Sequence, residues 1–462
     1  MKVLLVAYDD DSYMHRLPQG LAYIAAVLIK EGHEVKIYNQ DKFHYPDSHL
    51  TEYLDQNKFD IIGLGIVGGY YQYRKLLGLS QAINNSVNRP FYIIGGHGPS
   101  PEPEFYLKKT KADAVVIGEG EITVVELLDA VRHQQSLSKI KGIAYLDGDK
   151  AVINERRPLI EDIDKIPFPA YELFPMDYYR LARMPNASRT DFVISVLSGR
   201  GCTFKCTFCY RMDTGFRSRS SKGIIDEIMF LKRMYGITYI AFSDELLMSS
   251  KERTMRLCED FIRDNVGVKW SCNGRLNYAT PEVLNLMKRA GCVFINYGIE
   301  AMDNDVLKNM HKGLTTDQII RGVEATLKSG ISPGLNIIFG NIGDNQETLK
   351  KGVEFLLKYS DGAQMRTIRP VTPYPGSPLY YYAIEKGLIK DCEDFYENKH
   401  LNTDLLAVNF TDMSDDEFYR CLYEANNRLL EFYFQKKLSE AMEQNRKLHI
   451  DRDVNFRGFR HL

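Results

Sequence analysis

From Lys2 to Arg132, short apolar runs alternate with segments whose apolar residues recur every three or four positions. This is the pattern of strands alternating with crossover helices. Val3–Tyr8, Glu34–Tyr38, Ile61–Gly65, Phe91–Gly95 and Ala114–Ile117 are the predicted strands. Leu17–Glu31, Tyr70–Ser86 and Thr123–Arg132 are predicted helices, and the first stops at Gly32, a residue suited to the left-handed turn that closes a helix. The expectation is a doubly wound α/β domain over residues 1–138. Such domains bind ligands at the carboxyl ends of their strands. Those ends are glycine-rich here: Gly63, Gly65, Gly68 and Gly69, then Gly95, Gly96 and Gly98, then Gly118 and Gly120.

The segment Ile140–Asn154 reads as a hairpin with Asp147-Gly148 at its turn, and a proline-rich linker completes residues 139–190. A second β/α run follows over 191–380, with strands expected at Phe192–Leu197, Tyr239–Phe242, Val268–Cys272, Phe294–Ile299, Gly334–Ile338 and Gln364–Arg369. Six repeats suggest a partial barrel rather than a full eightfold one. Thr280-Pro281 opens one of its helices as N-cap and first helical residue. Strands then stop, and residues 381–462 are expected to form a small helical domain. Its main helix opens at the capping box Ser414-Asp415-Asp416-Glu417 and carries an apolar face of Phe418, Leu422, Ala425, Leu429 and Phe432. The basic end RDVNFRGFRHL reads as a solvated terminus.

Composition adds mainly exclusions. Of 462 residues, 44% are apolar and 26% charged, enough for large cores without disulfides. Lys and Arg total 59 against 61 Asp and Glu, so charge gives no pull toward nucleic acid or a membrane surface. No apolar run is long enough to span a bilayer. The start, MKVLLVAYDD, reads as a strand rather than a signal peptide, so a cytoplasmic protein is expected.

The eight cysteines are sparse except at Cys202, Cys206 and Cys209, in SGRGCTFKCTFCYR. This loop follows the first predicted barrel strand, at the end where barrel chemistry sits. Three thiolates on one short loop suit a soft metal site. A structural zinc takes four ligands, usually as two pairs, and no fourth Cys or His lies nearby. A [4Fe–4S] cube held by three cysteines leaves one iron open for a ligand.

The CxxxCxxC spacing with Phe208 before the last Cys resembles the cluster loop of the radical S-adenosylmethionine (SAM) superfamily. The resemblance implies that the open iron binds SAM. It extends to the ends of the later strands. Asp244 and Glu245 stand where the family supports the SAM amino group, and Arg275 where related enzymes place a polar contact. Glu300 stands near the expected ribose site, and Gly340-Asn341-Ile342-Gly343 resembles the adenine contact. From the residues alone, Asp244 could cap a helix, Arg275 could be a surface residue and Glu300 could pair with a structural arginine. A flavodoxin-like domain ahead of such a barrel resembles the cobalamin-binding subclass. The matching pieces are Pro18-Gln19-Gly20-Leu21, Gly95-Gly96-His97, Gly118-Glu119-Gly120-Glu121, Arg200-Gly201-Cys202, Phe216-Arg217-Ser218 and Pro373–Pro378. The loop after the first strand, Asp9–His15, lacks the Asp-x-His-x-x-Gly spacing of an axial histidine, and His44 also lies out of place. Cobalamin is therefore expected base-off without a histidine ligand, its lower face on Val67, Gly68, Gly69, Tyr70 and Tyr71, with Gly65 a further cofactor-binding candidate.

The resemblance implies a methyltransferase acting on an unactivated carbon through a 5′-deoxyadenosyl radical and methylcobalamin, with [4Fe–4S], SAM and cobalamin as cofactors. A cyclase or oxidase using the same cofactors without methyl transfer is the alternative, and a non-catalytic cobalamin sensor or scaffold is a third. The expected partners are a small-molecule or peptide substrate and an electron donor such as flavodoxin or ferredoxin, with no nucleic acid and no membrane. Tyr210, Arg366, Arg369 and Tyr374 are candidates for the barrel mouth, where packing at a strand end is an equal reading.

Overall fold

The computed structural model describes residues 1–9, 16–212 and 214–456. Its first sheet has seven strands: β1 Lys2–Ala7, β2 Glu34–Asn39, β3 Ile61–Gly65, β4 Phe91–Gly95, β5 Ala114–Val116, β6 Ile143–Asp147 and β7 Lys150–Ile153. Their order is β2-β1-β3-β4-β5-β6-β7. The first five pair in parallel. The central ones are buried on both faces, with Val3–Ala7 and Ile61–Leu64 all buried, whereas edge strand β2 exposes Glu34 and Lys36. The 140–154 hairpin is β6–β7, and it joins this sheet antiparallel to β5. It covers an edge strand that would otherwise present unpaired backbone.

The second sheet contains β8 Val193–Val196, β11 Tyr239–Phe242, β12 Lys269–Gly274, β13 Cys292–Glu300, β14 Ser332–Phe339 and β15 Arg369–Pro370, in the order β15-β14-β13-β12-β11-β8. All its pairings are parallel. Between β8 and β11 a separate two-stranded ribbon forms from β9 Gly199–Cys202 and β10 Gly215–Ser218. One face of the second sheet carries Ile194, Val196, Ile240, Phe242, Trp270, Ile295, Tyr297 and Leu335 into a core shared with the helices. The opposite row, Ser195, Ala241, Asn273, Asn296 and Asn336, is only half-buried and lines an open lumen. The sixth strand is shorter than the sequence suggested: only Arg369–Pro370 pair with β14.

Thr280 caps its helix as expected, accepting from the Val283 amide, and Ser414 and Glu417 form a reciprocal capping box. The helix after Ser414 runs Asp415–His449. Among the described residues, the tail has no core of its own. Tyr380, Phe395 and Tyr396 pack with the first sheet, whereas Phe418, Leu422, Ala425 and Leu429 pack with the barrel. Part of the basic terminus lies outside the described residues.

Several side-chain contacts join the carboxyl ends of the two sheets. Gln19, opening the first helix, accepts from Ser243 Oγ (2.6 Å) and donates to the Ser195 carbonyl (3.1 Å). His97, after β4, lies 3.9 Å from the Glu245 carboxylate, after β11. Among the described residues, no helix is long and apolar enough to cross a membrane.

Candidate functional site

Cys202 is the last residue of β9, so the ribbon aims it. The ribbon is narrow at Gly201: its φ is +87° and a Cβ there would stand 2.5 Å from the Gly215 carbonyl oxygen. The turn that opens β9 is built on Asp244, whose carboxylate accepts from the Ser198 amide (2.7 Å), the Gly199 amide (2.7 Å) and the Ser198 hydroxyl (2.6 Å). Asp244 is fully buried. The carboxylate thus supports the cysteine ribbon, where three donors need a buried acceptor. Glu245, one residue on, is exposed and faces His97.

Cys206 is buried, Cys209 exposed and Cys202 half-buried. The Thr207 amide donates to the Met310 carbonyl, and the Leu379 amide to the Thr207 carbonyl, fixing the loop on both sides. The Cys209 thiol hydrogen-bonds Cys206 and, with the Lys312 and Arg275 charges, draws the Cys206 thiol down against its burial. Cys209 is pushed up by the same hydrogen bond. Among the described residues, no three His, Cys, Asp or Glu side chains converge on a single-ion site. Mononuclear zinc demands such convergence at about 2.3 Å per sulfur. Three thiols spread along one cation-flanked loop fit the wider, anionic cluster.

Beyond the cysteines, the ends of β12, β13 and β14 bring polar groups together. The Arg275 guanidinium stacks on the Phe204 ring at 3.3 Å and donates to the Lys312 carbonyl. Lys312 Nζ pairs with Glu300 Oε1 at 2.9 Å, and both are buried. Lys312 also lies over the Phe208 ring. Glu300 holds a left-handed φ of +70° at a register shift in β13. A non-glycine residue there is strained, and such strain gathers at functional sites. Glu300 therefore has a cationic partner, but it is Lys312 rather than an arginine. After β14, the Gly340 and Asn341 amides both donate to Asp344 Oδ2. Arg275 Nε and Asn341 Nδ2 are buried without a partner. Orphaned buried donors at the ends of β12 and β14 are what a polar ligand would satisfy, so the residues fit SAM.

On the first sheet, Gly65 and Gly118 have nothing within 4 Å of where a Cβ would stand, and Val67 is 51% exposed. At Gly96, φ is +99° and a Cβ would lie 2.5 Å from the Ile66 carbonyl oxygen, so only glycine brings these loops together. Gly95, Gly96 and His97 adjoin Gly65 and Val67 through the β3–β4 pairing and the Gly98 amide's bond to the Ile66 carbonyl. Gly68 lies against Tyr374, and Tyr70 stands edge-on to His400. Gly69 caps the helix Tyr70–Asn85. Gly120 faces Ile24 rather than open space. The open, glycine-lined edge fits a large planar ligand such as cobalamin. His44 is engaged by Asp9 at 2.5 Å; His15 lies outside the described residues.

Glu119 and Glu121 face the cysteine ribbon. Arg200 donates to Glu119 Oε1 (2.8 Å) and to Glu121 Oε1 (2.5 Å). Arg217 donates to both Glu119 oxygens (3.0 and 2.9 Å), and the Ile160 amide donates to Glu119 Oε2. These side chains clamp the first domain to the ribbon that carries Cys202. The pairs span 81 and 98 residues of sequence, so no local pattern announces them.

Of the barrel-mouth candidates, Arg369 pairs with Asp404 at an exposed site, and Tyr210 stands edge-on to His97. Burial pushes the Tyr374 hydroxyl up to about 12. Arg366 enters the lumen. Sequence reasoning missed Asn273, Asn296 and Asn336, although each alternates with buried apolar residues along its strand.

The B12 binding domain model matches residues 12–128 and the radical SAM superfamily model residues 196–356. An uncharacterized methyltransferase of Pyrococcus horikoshii, PH0819, is 31% identical over 400 residues, covering 84% of each chain. The anaerobic magnesium-protoporphyrin IX monomethyl ester cyclase of Rubrivivax gelatinosus is 26% identical, covering 82% of this chain and 68% of its own length. The solved structure of OxsB, a cobalamin-dependent SAM radical enzyme, shares the fold with a TM-score of 0.75 at 18% identity, covering 96% of this chain and 71% of that one. On this similarity the chain belongs to the cobalamin-binding radical SAM enzymes, whose cofactors are a [4Fe–4S] cluster, SAM and cobalamin.

Proposed function

We propose that this enzyme is a methyltransferase that methylates an unactivated carbon of a small molecule held between the two sheets. The observation that carries the reading is the opposition of the cysteine ribbon and the glycine-lined edge, joined by the Glu119–Arg200–Arg217 clamp. When bound, the cluster with SAM supplies a hydrogen-abstracting radical, and cobalamin supplies a methyl carrier. The protein's own part is to hold, orient and shield. Cys202, Cys206 and Cys209 ligate the cluster, and Asp244 fixes the turn that aims Cys202. Glu300, Arg275, Gly340 and Asn341 form the SAM contacts, with Lys312 holding Glu300 in place. Gly65, Val67, Gly68, Gly95, Gly96, His97 and Gly118 form the corrin edge, and no histidine serves as axial ligand. Substrate enters the lumen lined by Asn273, Asn296 and Asn336. Electrons come from a flavodoxin or ferredoxin in a reducing cytoplasm.

Cyclisation without methyl transfer is the second reading, favoured by the similarity to the Rubrivivax gelatinosus cyclase. Counting SAM products separates the two. Methylation gives S-adenosylhomocysteine and 5′-deoxyadenosine together; 5′-deoxyadenosine with little S-adenosylhomocysteine would reject the methyltransferase reading.

A further inference from the structure

Among the described residues, the charged fork in the lumen forms no ion pair. Asn273, Asn296 and Asn336 form a one-way relay across β12, β13 and β14. Asn273 Nδ2 donates to the Asp244 carbonyl (2.8 Å), Asn296 Nδ2 to Asn273 Oδ1 (3.1 Å) and Asn336 Nδ2 to Asn296 Oδ1 (2.9 Å). Every amide donor thus points toward β11, and the Asn296 and Asn336 oxygens point toward Arg366. The Arg366 guanidinium closes the relay, donating to Asn336 Oδ1 and to Asn296 Oδ1. Both acceptors are neutral. Among the described residues no carboxylate forms an ion pair with Arg366; Asp361 attracts it only from a distance. Among the described residues, the rest of its fork has no protein hydrogen-bond partner. Burial pushes Arg366 down to about 10, which marks the cost of a charge kept in the lumen without a counter-ion.

We propose that Arg366 is the anchor for an oxyanion of the substrate, so that the lumen takes a small polar molecule bearing a carboxylate or a phosphoryl group rather than an apolar one. The planar fork matches either group in bidentate fashion, and the asparagine relay holds it rigid while offering no competing charge. The Asn oxygens, fixed by their own donors, take one bond from each terminal nitrogen of the guanidinium, and its remaining N–H groups are left for the ligand. Because the relay ends on the Asp244 carbonyl, and Asp244 supports the cysteine ribbon, the anchor and the cluster loop share one hydrogen-bonded frame. This proposal rests on the reading of the lumen as the substrate site.

The test is binding, measured separately from turnover. The anaerobically reconstituted full-length protein, loaded with SAM and cobalamin, is titrated in a thermal-shift assay. The probes are acetate, inorganic phosphate, an amino acid, a nucleoside monophosphate and an uncharged counterpart of each organic probe. Anionic probes should raise the wild-type melting temperature and neutral ones should not. The better of the carboxylate and phosphoryl series names the group. Arg366→Gln should weaken anion binding at least tenfold with iron and cobalt content unchanged, and Arg366→Lys should restore part of it. Asn296→Asp, which places a carboxylate beside the guanidinium, should abolish anion binding without removing the arginine. The proposal is overturned if no anion shifts the wild-type protein, if neutral probes bind as well, or if Arg366→Gln and Asn296→Asp bind anions like the wild type. Anion binding that persists in a protein unable to cleave SAM would reject the enzymatic reading and leave this site standing.

Discussion

Replacing Glu119 by glutamine removes one charge from the clamp between the first domain and the cysteine ribbon and changes little else in shape. Glu119 is 7% exposed and accepts three charge-assisted bonds from Arg200 and Arg217. Burial alone would raise its carboxyl; Arg217, the Ile160 amide and Arg200 outweigh burial and hold it below the usual range. Removing one partner from a buried ion pair costs about 3–5 kcal/mol, because the remaining charges stay desolvated. Here the glutamine oxygen still accepts a bond, and Glu121 still holds Arg200, so about 3 kcal/mol is expected. In a cooperative unit of about 150–250 residues that lowers the melting temperature by about 6–12 °C. The assay is denaturant unfolding of the anaerobic protein, with iron counted on the same samples, since the loosened ribbon carries Cys202. A double-mutant cycle with Arg217→Met should show coupling of about 1–3 kcal/mol. A Glu119→Gln protein within about 0.5 kcal/mol of wild type would refute the reasoning, as would additivity with Arg217→Met. The sign with pH follows from the depressed carboxyl. The clamp is fully present above the unfolded-state carboxyl range and is lost as pH falls through the lower, folded value.

Further outcomes test other parts of the structure. His400 is fully buried, both its ring nitrogens lack partners, and burial holds it down to about 4. The unfolded chain therefore binds more protons between about pH 6.5 and 4, and stability should fall by roughly 3 kcal/mol as pH drops through that window. His400→Phe should flatten this limb in pH-dependent unfolding, and an unchanged slope contradicts it. Gly96→Ala drives a Cβ to 2.5 Å from the Ile66 carbonyl oxygen at a φ of +99°. It should cost about 1–3 kcal/mol and lose corrinoid absorbance while keeping iron; full corrinoid loading would count against the glycine edge as the cobalamin site. Asp244→Asn keeps the shape but weakens the acceptor for three donors, so iron retention after reconstitution should drop while corrinoid is kept; equal iron would remove Asp244 from its supporting role.

What could be read from the chain was what is local. The β3 and β4 boundaries coincide with the expected Ile61–Gly65 and Phe91–Gly95, because a fully buried strand is a continuous apolar run that ends where glycine begins. The cysteine loop was legible because cluster ligation imposes a short spacing. The ribbon that aims it was not: Gly199-Arg200-Gly201-Cys202 has no apolar alternation, and the two arginines paired across it, Arg200 and Arg217, reach to a residue far away in sequence, Glu119. The last barrel strand was overread because the 364–369 stretch turns Arg366 into the lumen rather than onto the ladder. The support that Asp244 lends the ribbon was not legible either, because the sequence gives its position at a strand end but not which way its carboxylate turns.

The central claim is that the three cysteines hold an open iron–sulfur cluster and the glycine-lined edge of the first sheet holds cobalamin as a separate site. Iron and cobalt counted together in anaerobically reconstituted wild-type and Cys206→Ala protein test it most directly. The account predicts about four irons and one cobalt per chain in the wild type, and cobalt without iron in Cys206→Ala. Zinc in place of iron, or loss of both metals in a folded Cys206→Ala protein, would contradict it.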